Sequence, residues 1–123
     1  MGRLRDDADR VKDTTTTTGT GSLTLSGSAP TGYVTFNSGI GQGPRFCYTI
    51  QIADESEWEV GVGYLSAATT LVRERVMKSS NSNNAVNFSA GTKTCFVTFC
   101  ADRAKKITTR GVALMMVRGC YLT

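Results

Sequence analysis

Apolar and polar residues alternate along the middle of the chain, the period-two pattern of strands that bury one face. Residues 46–52 carry apolar side chains at each even-numbered position, and residues 58–64 repeat the arrangement. We therefore expect two strands joined as a hairpin, with their apolar faces sharing the core. In this interpretation Trp58 is a core residue, and the odd-numbered positions from Glu57 to Gly63 face solvent.

Further candidate strands are separated by clusters of Gly, Pro, Ser and Asn, which are typical of turns. An unbroken apolar run near the carboxyl end, bracketed by Gly111 and Gly119, fits a buried strand or a buried helical turn, and the glycines favour the strand. The further candidate strands are Leu23–Leu25, Tyr33–Phe36, Thr69–Met77, Thr94–Phe99 and Val112–Val117. The spacing predicts an all-β fold, a small antiparallel β-sandwich or barrel of about seven to eight strands.

The chain divides into three segments. Residues 1–21 are an arm of balanced charge followed by a Thr/Gly linker, residues 22–103 are the β body, and residues 104–123 are a basic and apolar extension. The threonine run at 14–18 has no apolar face. It is either a solvated linker or an extended strand hydrogen-bonded to a neighbouring molecule.

Residues suited to catalysis are scarce. The chain has no histidine, which excludes Ser-His and Cys-His nucleophile pairs. Four cysteines lack Cys-x-x-Cys spacing, so we expect free, buried thiols, with a single disulfide as the alternative. Glu57 and Glu59 share a strand face with two glycines, which predicts a solvated edge. The sequence thus predicts a protein that is not an enzyme, with no catalytic residue, no metal, no cofactor and no small-molecule substrate.

The distribution of charge and apolar residues also bears on location. No apolar run approaches the ~20 residues that span a bilayer, and the charged first 13 residues do not resemble a secretory signal. We therefore expect no membrane association and synthesis in a cytoplasm.

Basic residues are in clear excess only in the carboxyl-terminal extension of a chain whose net charge is +4. We expect them to contact acidic groups of a protein partner, although a plain solvated face would also explain them. Few aromatic residues are interleaved with the charges of the carboxyl-terminal extension, which disfavours nucleic acid as the partner. The predicted interface comprises Arg3, Arg5, Arg10 and Lys12 in the arm, and Arg103, Lys105, Lys106, Arg110, Leu114, Met115, Met116 and Arg118 towards the other end.

Several stretches read in order resemble a family of virion proteins of tailed bacteriophages, whose members are short standalone structural proteins or leading modules of tail-fibre proteins. They are DRVKDTTTTT at 9–18, LTLSG at 23–27, GYVTF at 32–36, WEVGVG at 58–63, TLVR at 70–73, VMKSSN at 76–81 and VNFSAGTK at 86–93. The resemblance covers roughly residues 9–103 and does not include the extension.

The resemblance implies a structural role in the virion, after synthesis in the cytoplasm of a bacterial host. It offers no catalytic residues. We expect a homo-oligomeric subunit at the tail or head-tail connector region, which contacts other virion proteins and anchors or joins fibres or other tail parts. Two alternatives stay open at this point. One is a decoration protein that cements the capsid, and the other is a receptor- or carbohydrate-binding β module.

Overall fold

The computed structural model describes residues 9–98, and the strands named within this range form one six-stranded sheet. Neighbouring strands are antiparallel, in the order β1-β6-β3-β4-β5-β2. The elements are β1 (Lys12–Thr15), β2 (Leu23–Thr24), the one-turn helix α1 (Phe36–Gly39), β3 (Phe46–Ile52), β4 (Trp58–Ala67), β5 (Thr70–Ser79) and β6 (Lys93–Val97). The predicted all-β fold is confirmed.

The two ends of the sheet meet, so that the sheet nearly closes into a small barrel. Thr15 at the end of β1 forms an antiparallel bridge with Leu25, just after β2. The Ser26 N–H donates to the carbonyl of Thr14 at 2.8 Å. Joining the two edges leaves few backbone groups unpaired, which limits edge-to-edge association.

The described part of the chain has fewer strands than the sequence pattern predicts. Tyr33–Phe36 is not a strand, since Val34 makes only an isolated bridge to Val11 and Phe36 begins α1. The hydroxyl of Thr35 caps this helix by accepting from the Ser38 N–H at 3.1 Å. The strand predicted at Val112–Val117 lies outside the described residues.

The core forms around β3, as its alternating pattern predicts. Phe46, Tyr48 and Ile50 are fully buried. The rings of Phe46 and Phe36 lie 5.3 Å apart in a tilted arrangement, so α1 packs against this strand. The other core side chains are Val11, Leu23, Leu25, Ile40, Leu65, Leu71, Val86, Phe88 and Cys95.

The prediction for β4 is wrong, because the face expected to be buried is the outer one. Trp58, Val60, Val62 and Tyr64 are only half-buried, whereas the alternate positions from Glu59 to Leu65 point into the barrel. Trp58 is therefore not a core residue.

Two glycines explain why β4 turns this face inward. A Cβ at Gly61 would lie 2.8 Å from the hydroxyl of Tyr48, and a Cβ at Gly63 would lie 3.2 Å from its ring. The ring of Tyr48 therefore fills space that side chains on β4 would otherwise need. The glycines mark a close approach inside the barrel and not a wet edge.

The sheet begins at Lys12, inside the segment that the sequence assigns to an arm and linker. Thr14 and Thr15 pair with Thr94 and Lys93 of β6 in the same chain. Asp13 is 1% exposed, and its carboxylate accepts hydrogen bonds from Thr14 N–H at 2.6 Å, Gly27 N–H at 3.0 Å and the hydroxyl of Ser26. From residue 9 to residue 21, the chain is thus fastened to the body.

The cysteines divide into two kinds. Cys95 is free and buried, which confirms the expectation of a thiol acting as a small apolar side chain. Cys47 is disulfide-bonded, so the same expectation is wrong at that position. Cys100 and Cys120 lie outside the described residues.

Candidate functional site

An open pocket of about 430 Å³ lies on the outer surface of the barrel, across β1, β6 and β3. Its lining combines basic, aromatic, amide and aliphatic side chains. The lining residues are Arg10, Val11, Lys12, Tyr33, Gln51, Phe96 and Val97. We refer to this set as the cationic pocket.

The strand registers explain how these residues meet. Lys12 pairs with Phe96 across β1 and β6, and Phe96 pairs with Thr49 across β6 and β3. Gln51 lies two positions further along β3, on the same face as Thr49 because side chains alternate along a strand. The three outward positions of β1, β6 and β3 therefore form one continuous surface.

Tyr33 completes the pocket from a loop far away in the sequence. Its ring centroid lies 4.1 Å from the Arg10 guanidinium carbon and 4.7 Å from Lys12 Nζ, so both cations contact the π system. The loop is attached to the start of β1 by two backbone hydrogen bonds, from Val34 N–H to the Arg10 carbonyl at 2.8 Å and from Lys12 N–H to the Val34 carbonyl at 3.1 Å. The ring and both cations are thus held in a defined arrangement.

Arg10 is further fixed by its own side chain and backbone. Its Nε donates to the carbonyl of Gly32 at 3.1 Å. Its φ of 58° lies in the left-handed region, where residues other than glycine are uncommon. Such a conformation costs about 1–3 kcal/mol and persists only where the surroundings hold it.

The two cations of the pocket have no carboxylate partner within the described range. The ion pairs there join Arg45 to Glu74 and Arg73 to Glu59. Arg10 is exposed and Lys12 half-buried. The pocket consequently offers two oriented positive charges beside aromatic surface, which suits an anionic group such as a carboxylate or a phosphate.

The structure covers only part of the interface that the sequence predicts. Arg10 and Lys12 lie in the pocket, on either side of Val11. The remaining predicted residues lie outside the described range: Arg3, Arg5, Arg103, Lys105, Lys106, Arg110, Leu114, Met115, Met116 and Arg118. Sequence reasoning missed Tyr33, Gln51 and Phe96, although the alternation of β3 and β6 already places the last two opposite the core-facing residues.

A second group of charged residues lies inside the barrel, where the sequence predicts a solvated edge. Glu59 is fully buried, and its Oε1 accepts from Arg73 Nη1 at 2.8 Å and Val86 N–H at 2.9 Å. Its Oε2 accepts from the Tyr48 hydroxyl at 2.6 Å. Burial and the neighbouring Glu59 raise the pKa of Tyr48, so this phenol stays a hydrogen-bond donor.

Arg73 connects this interior group to the surrounding loops. Its Nη2 donates to the Gly19 carbonyl at 2.8 Å and its Nε to the Gly21 carbonyl at 3.0 Å, in addition to the ion pair with Glu59. Both oxygens of Glu59 and three nitrogens of Arg73 are therefore occupied by the protein itself. This arrangement holds the loop 19–21 against the barrel and leaves no carboxylate oxygen aimed at a ligand.

Glu57 differs from Glu59 in its surroundings. It is half-buried and accepts from the Ser89 hydroxyl at 2.6 Å and the Ser89 N–H at 2.8 Å, and these two bonds lower its pKa. Glu57 and Glu59 are thus anchors for different loops and do not form a carboxylate pair.

Two searches of residues 9–98 bear on other functions. They contain no group of three or more His, Cys, Asp or Glu residues placed to hold a metal ion. In the same range, no helix has the length and apolar character required to cross a bilayer.

Comparison with models of known protein families, with curated proteins and with solved structures found no match to this chain.

Proposed function

We propose that the protein is a non-enzymatic structural subunit of a tailed-bacteriophage particle, located at the tail or head-tail region. It anchors or joins fibres or other tail parts through protein–protein contacts. The resemblance of residues 9–103 to virion proteins supports this role, and the cationic pocket supplies a surface through which it is performed.

The observation that carries the proposal is the composition and rigidity of the pocket. Arg and the aromatic residues are enriched at protein interfaces, where they supply contact area and directed hydrogen bonds. Here Arg10 and Tyr33 are already held in place by the fold, so binding orders few additional side chains.

A receptor- or carbohydrate-binding module remains the second candidate on one observation. Gln51 pairs with Trp58 across β3 and β4, and Phe96 lies on the same outer surface. Aromatic rings beside an amide would suit a sugar. A glycan array tests this candidate, and sugar binding that disappears in Trp58→Ala would support it.

The experiment that tests the proposed function is the location and copy number of the protein in purified particles of the phage that encodes it. We expect quantitative mass spectrometry to give a few to tens of copies per particle, and immunogold labelling to mark the tail or connector. Hundreds of copies spread over the head would instead identify a capsid decoration protein. Absence from purified particles would overturn the proposal.

A further inference from the structure

We infer that the cationic pocket of one copy binds the acidic turn between β3 and β4 of a second copy, so that the subunits associate head to tail. This turn, residues 53–57, contains Asp54, Glu55 and Glu57 and is here named the acidic tip. The inference rests on the proposed function, since it assigns the contact by which such a subunit forms a ring.

The charge balance of the body indicates the kind of ligand. Residues 9–98 contain seven basic and seven acidic side chains, so within this range the pocket is not accompanied by an excess of positive charge. Proteins that bind nucleic acid usually show a basic patch or stripe along the contact. Two isolated cations around one aromatic ring fit one or two carboxylates better than a chain of phosphates.

The acidic tip is the counterpart on the same molecule. Within the described range, the exposed carboxylates without a basic partner are Asp9, Asp54 and Glu55. Asp9 directly precedes Arg10, whereas the other two lie in the exposed turn that joins β3 to β4. The described body thus has one cationic pocket and one acidic turn, and neither takes part in an ion pair among the described residues.

The tip is rigid before it binds. Asp54 Oδ1 accepts from the Ser56 hydroxyl at 2.7 Å and the Ser56 N–H at 2.9 Å, and these bonds lower the pKa of Asp54 and keep it ionised. The Glu55 N–H donates to the Ile52 carbonyl at 2.9 Å, and the Ile52 N–H donates to the Glu57 carbonyl at 3.0 Å. A preformed tip entering a preformed pocket loses little conformational entropy.

Within one copy, the two surfaces do not pair with each other. Neither Asp54 nor Glu55 pairs with Arg10 or Lys12 among the described residues. Gln51 of the pocket precedes Asp54 by three positions, and β3 ends between them at Ile52, where the chain turns away into the tip. Because the two surfaces differ, their contact between copies is heterologous, and it forms a ring if the rotation between subunits closes.

Sedimentation velocity of the full chain with charge-reversal variants tests this contact. We expect the wild type to form an oligomer at ~50 mM salt that dissociates at ~500 mM, since charges at an exposed contact are screened. Arg10→Glu/Lys12→Glu and Asp54→Lys/Glu55→Lys should each sediment as smaller species. An equimolar mixture of the two variants should regain the larger species, because each reversed surface again meets its opposite.

Lys78→Glu is the matched control, since it reverses an exposed charge on β5, a strand that contributes no residue to the pocket or to the tip. It should sediment as the wild type does. Circular dichroism checks the fold of each variant. If a reversal variant does not fold, the milder variants Lys12→Gln and Glu55→Gln test the same contact. Each should raise the protein concentration needed for assembly at least several-fold.

Three results would overturn the inference. They are a wild type that is monomeric at low salt, pocket variants that sediment as the wild type does, and a mixture that fails to restore assembly. A gel-shift assay with a short duplex DNA tests whether the pocket binds nucleic acid instead. DNA binding that is lost in Arg10→Glu/Lys12→Glu while assembly persists would assign the pocket to nucleic acid. None of these results bears on whether the protein is found in particles.

Discussion

Replacing Glu59 by glutamine removes the charge of a buried carboxylate while keeping its size. In the native barrel, this carboxylate accepts from Arg73 at 2.8 Å, Val86 at 2.9 Å and Tyr48 at 2.6 Å. The glutamine carbonyl replaces one carboxylate oxygen. Its amide group, a donor, would then face either the Tyr48 hydroxyl or the donors of Arg73 and Val86.

The magnitude follows from the burial of the ion pair. The side chains of Arg73 and Glu59 are 2% and 0% exposed. Removing one partner of such a pair leaves the other charge buried without compensation, which costs about 3–5 kcal/mol. Because domains of this size unfold with about 5–15 kcal/mol, we expect Glu59→Gln to remove a large share of the stability.

Urea denaturation followed by circular dichroism measures this loss. With a slope of about 1.5 kcal/mol per molar urea, a loss of 3 kcal/mol lowers the midpoint by about 2 M. The matched control is Glu74→Gln, which removes the carboxylate of an equally short Arg–Glu pair, at 2.9 Å, whose side chains are 39% and 40% exposed. This exposed pair should contribute no more than about 1 kcal/mol.

The comparison refutes the reasoning if Glu59→Gln lowers the midpoint no more than Glu74→Gln does. A double-mutant cycle with Tyr48→Phe adds a second check. Since both substitutions disrupt the same network, their effects should fall short of additivity by about 0.5–3 kcal/mol. Additive effects would mean that Tyr48 and Glu59 act independently.

Three further outcomes follow from the interior of the barrel. Gly61→Ala should lower the free energy of unfolding, measured by urea denaturation, by at least about 1–3 kcal/mol, because the new Cβ would lie 2.3 Å from the backbone carbonyl of Arg75. Gly21→Ala is the control and should lower it far less, because a Cβ there would have no atom within 4 Å. Asp13→Asn should lose about 1.5–3 kcal/mol by the same measurement, since it weakens three hydrogen bonds to a buried carboxylate. Burial, then the nearby Asp13 carboxylate, raises the pKa of Cys95 from 9.0 to about 12, so its stabilising contribution is complete below pH 9 and is lost as the pH rises towards 12. Denaturation series at pH 8, 9 and 10 should therefore show a decline of up to about 1.4 kcal/mol per pH unit that is smaller in Cys95→Ala, and equal slopes would contradict this assignment.

The sequence by itself determined the class of the fold and the core face of one strand. Threonine, glycine and period-two alternation suit short strands and tight turns, and these preferences are local. On β3 the even-numbered positions are strongly apolar and their neighbours mostly polar, so the inward face was predictable. The arm residues Arg10 and Lys12 were also identified as surface cations, because charge is a property of single residues.

Only the tertiary structure decided which face of β4 is buried. Alternation shows which residues share a face, but burial depends on what lies opposite. The apolar side chains from Trp58 to Tyr64 predict that the face carrying them is the buried one. The ring of Tyr48 needs the space that Gly61 leaves, and Glu59 finds Arg73 inside the barrel, so the opposite face turns inward.

The cationic pocket likewise depended on contacts between distant segments. Tyr33 reaches Arg10 because Val34 pairs with Val11, and Phe96 reaches Lys12 because β6 pairs with β1. Residues that meet in this way are more than twenty positions apart for the loop and more than eighty for the strands. No local pattern encodes such pairings; they follow from the strand order, in which β6 lies beside β1 and brings both ends of the described chain together.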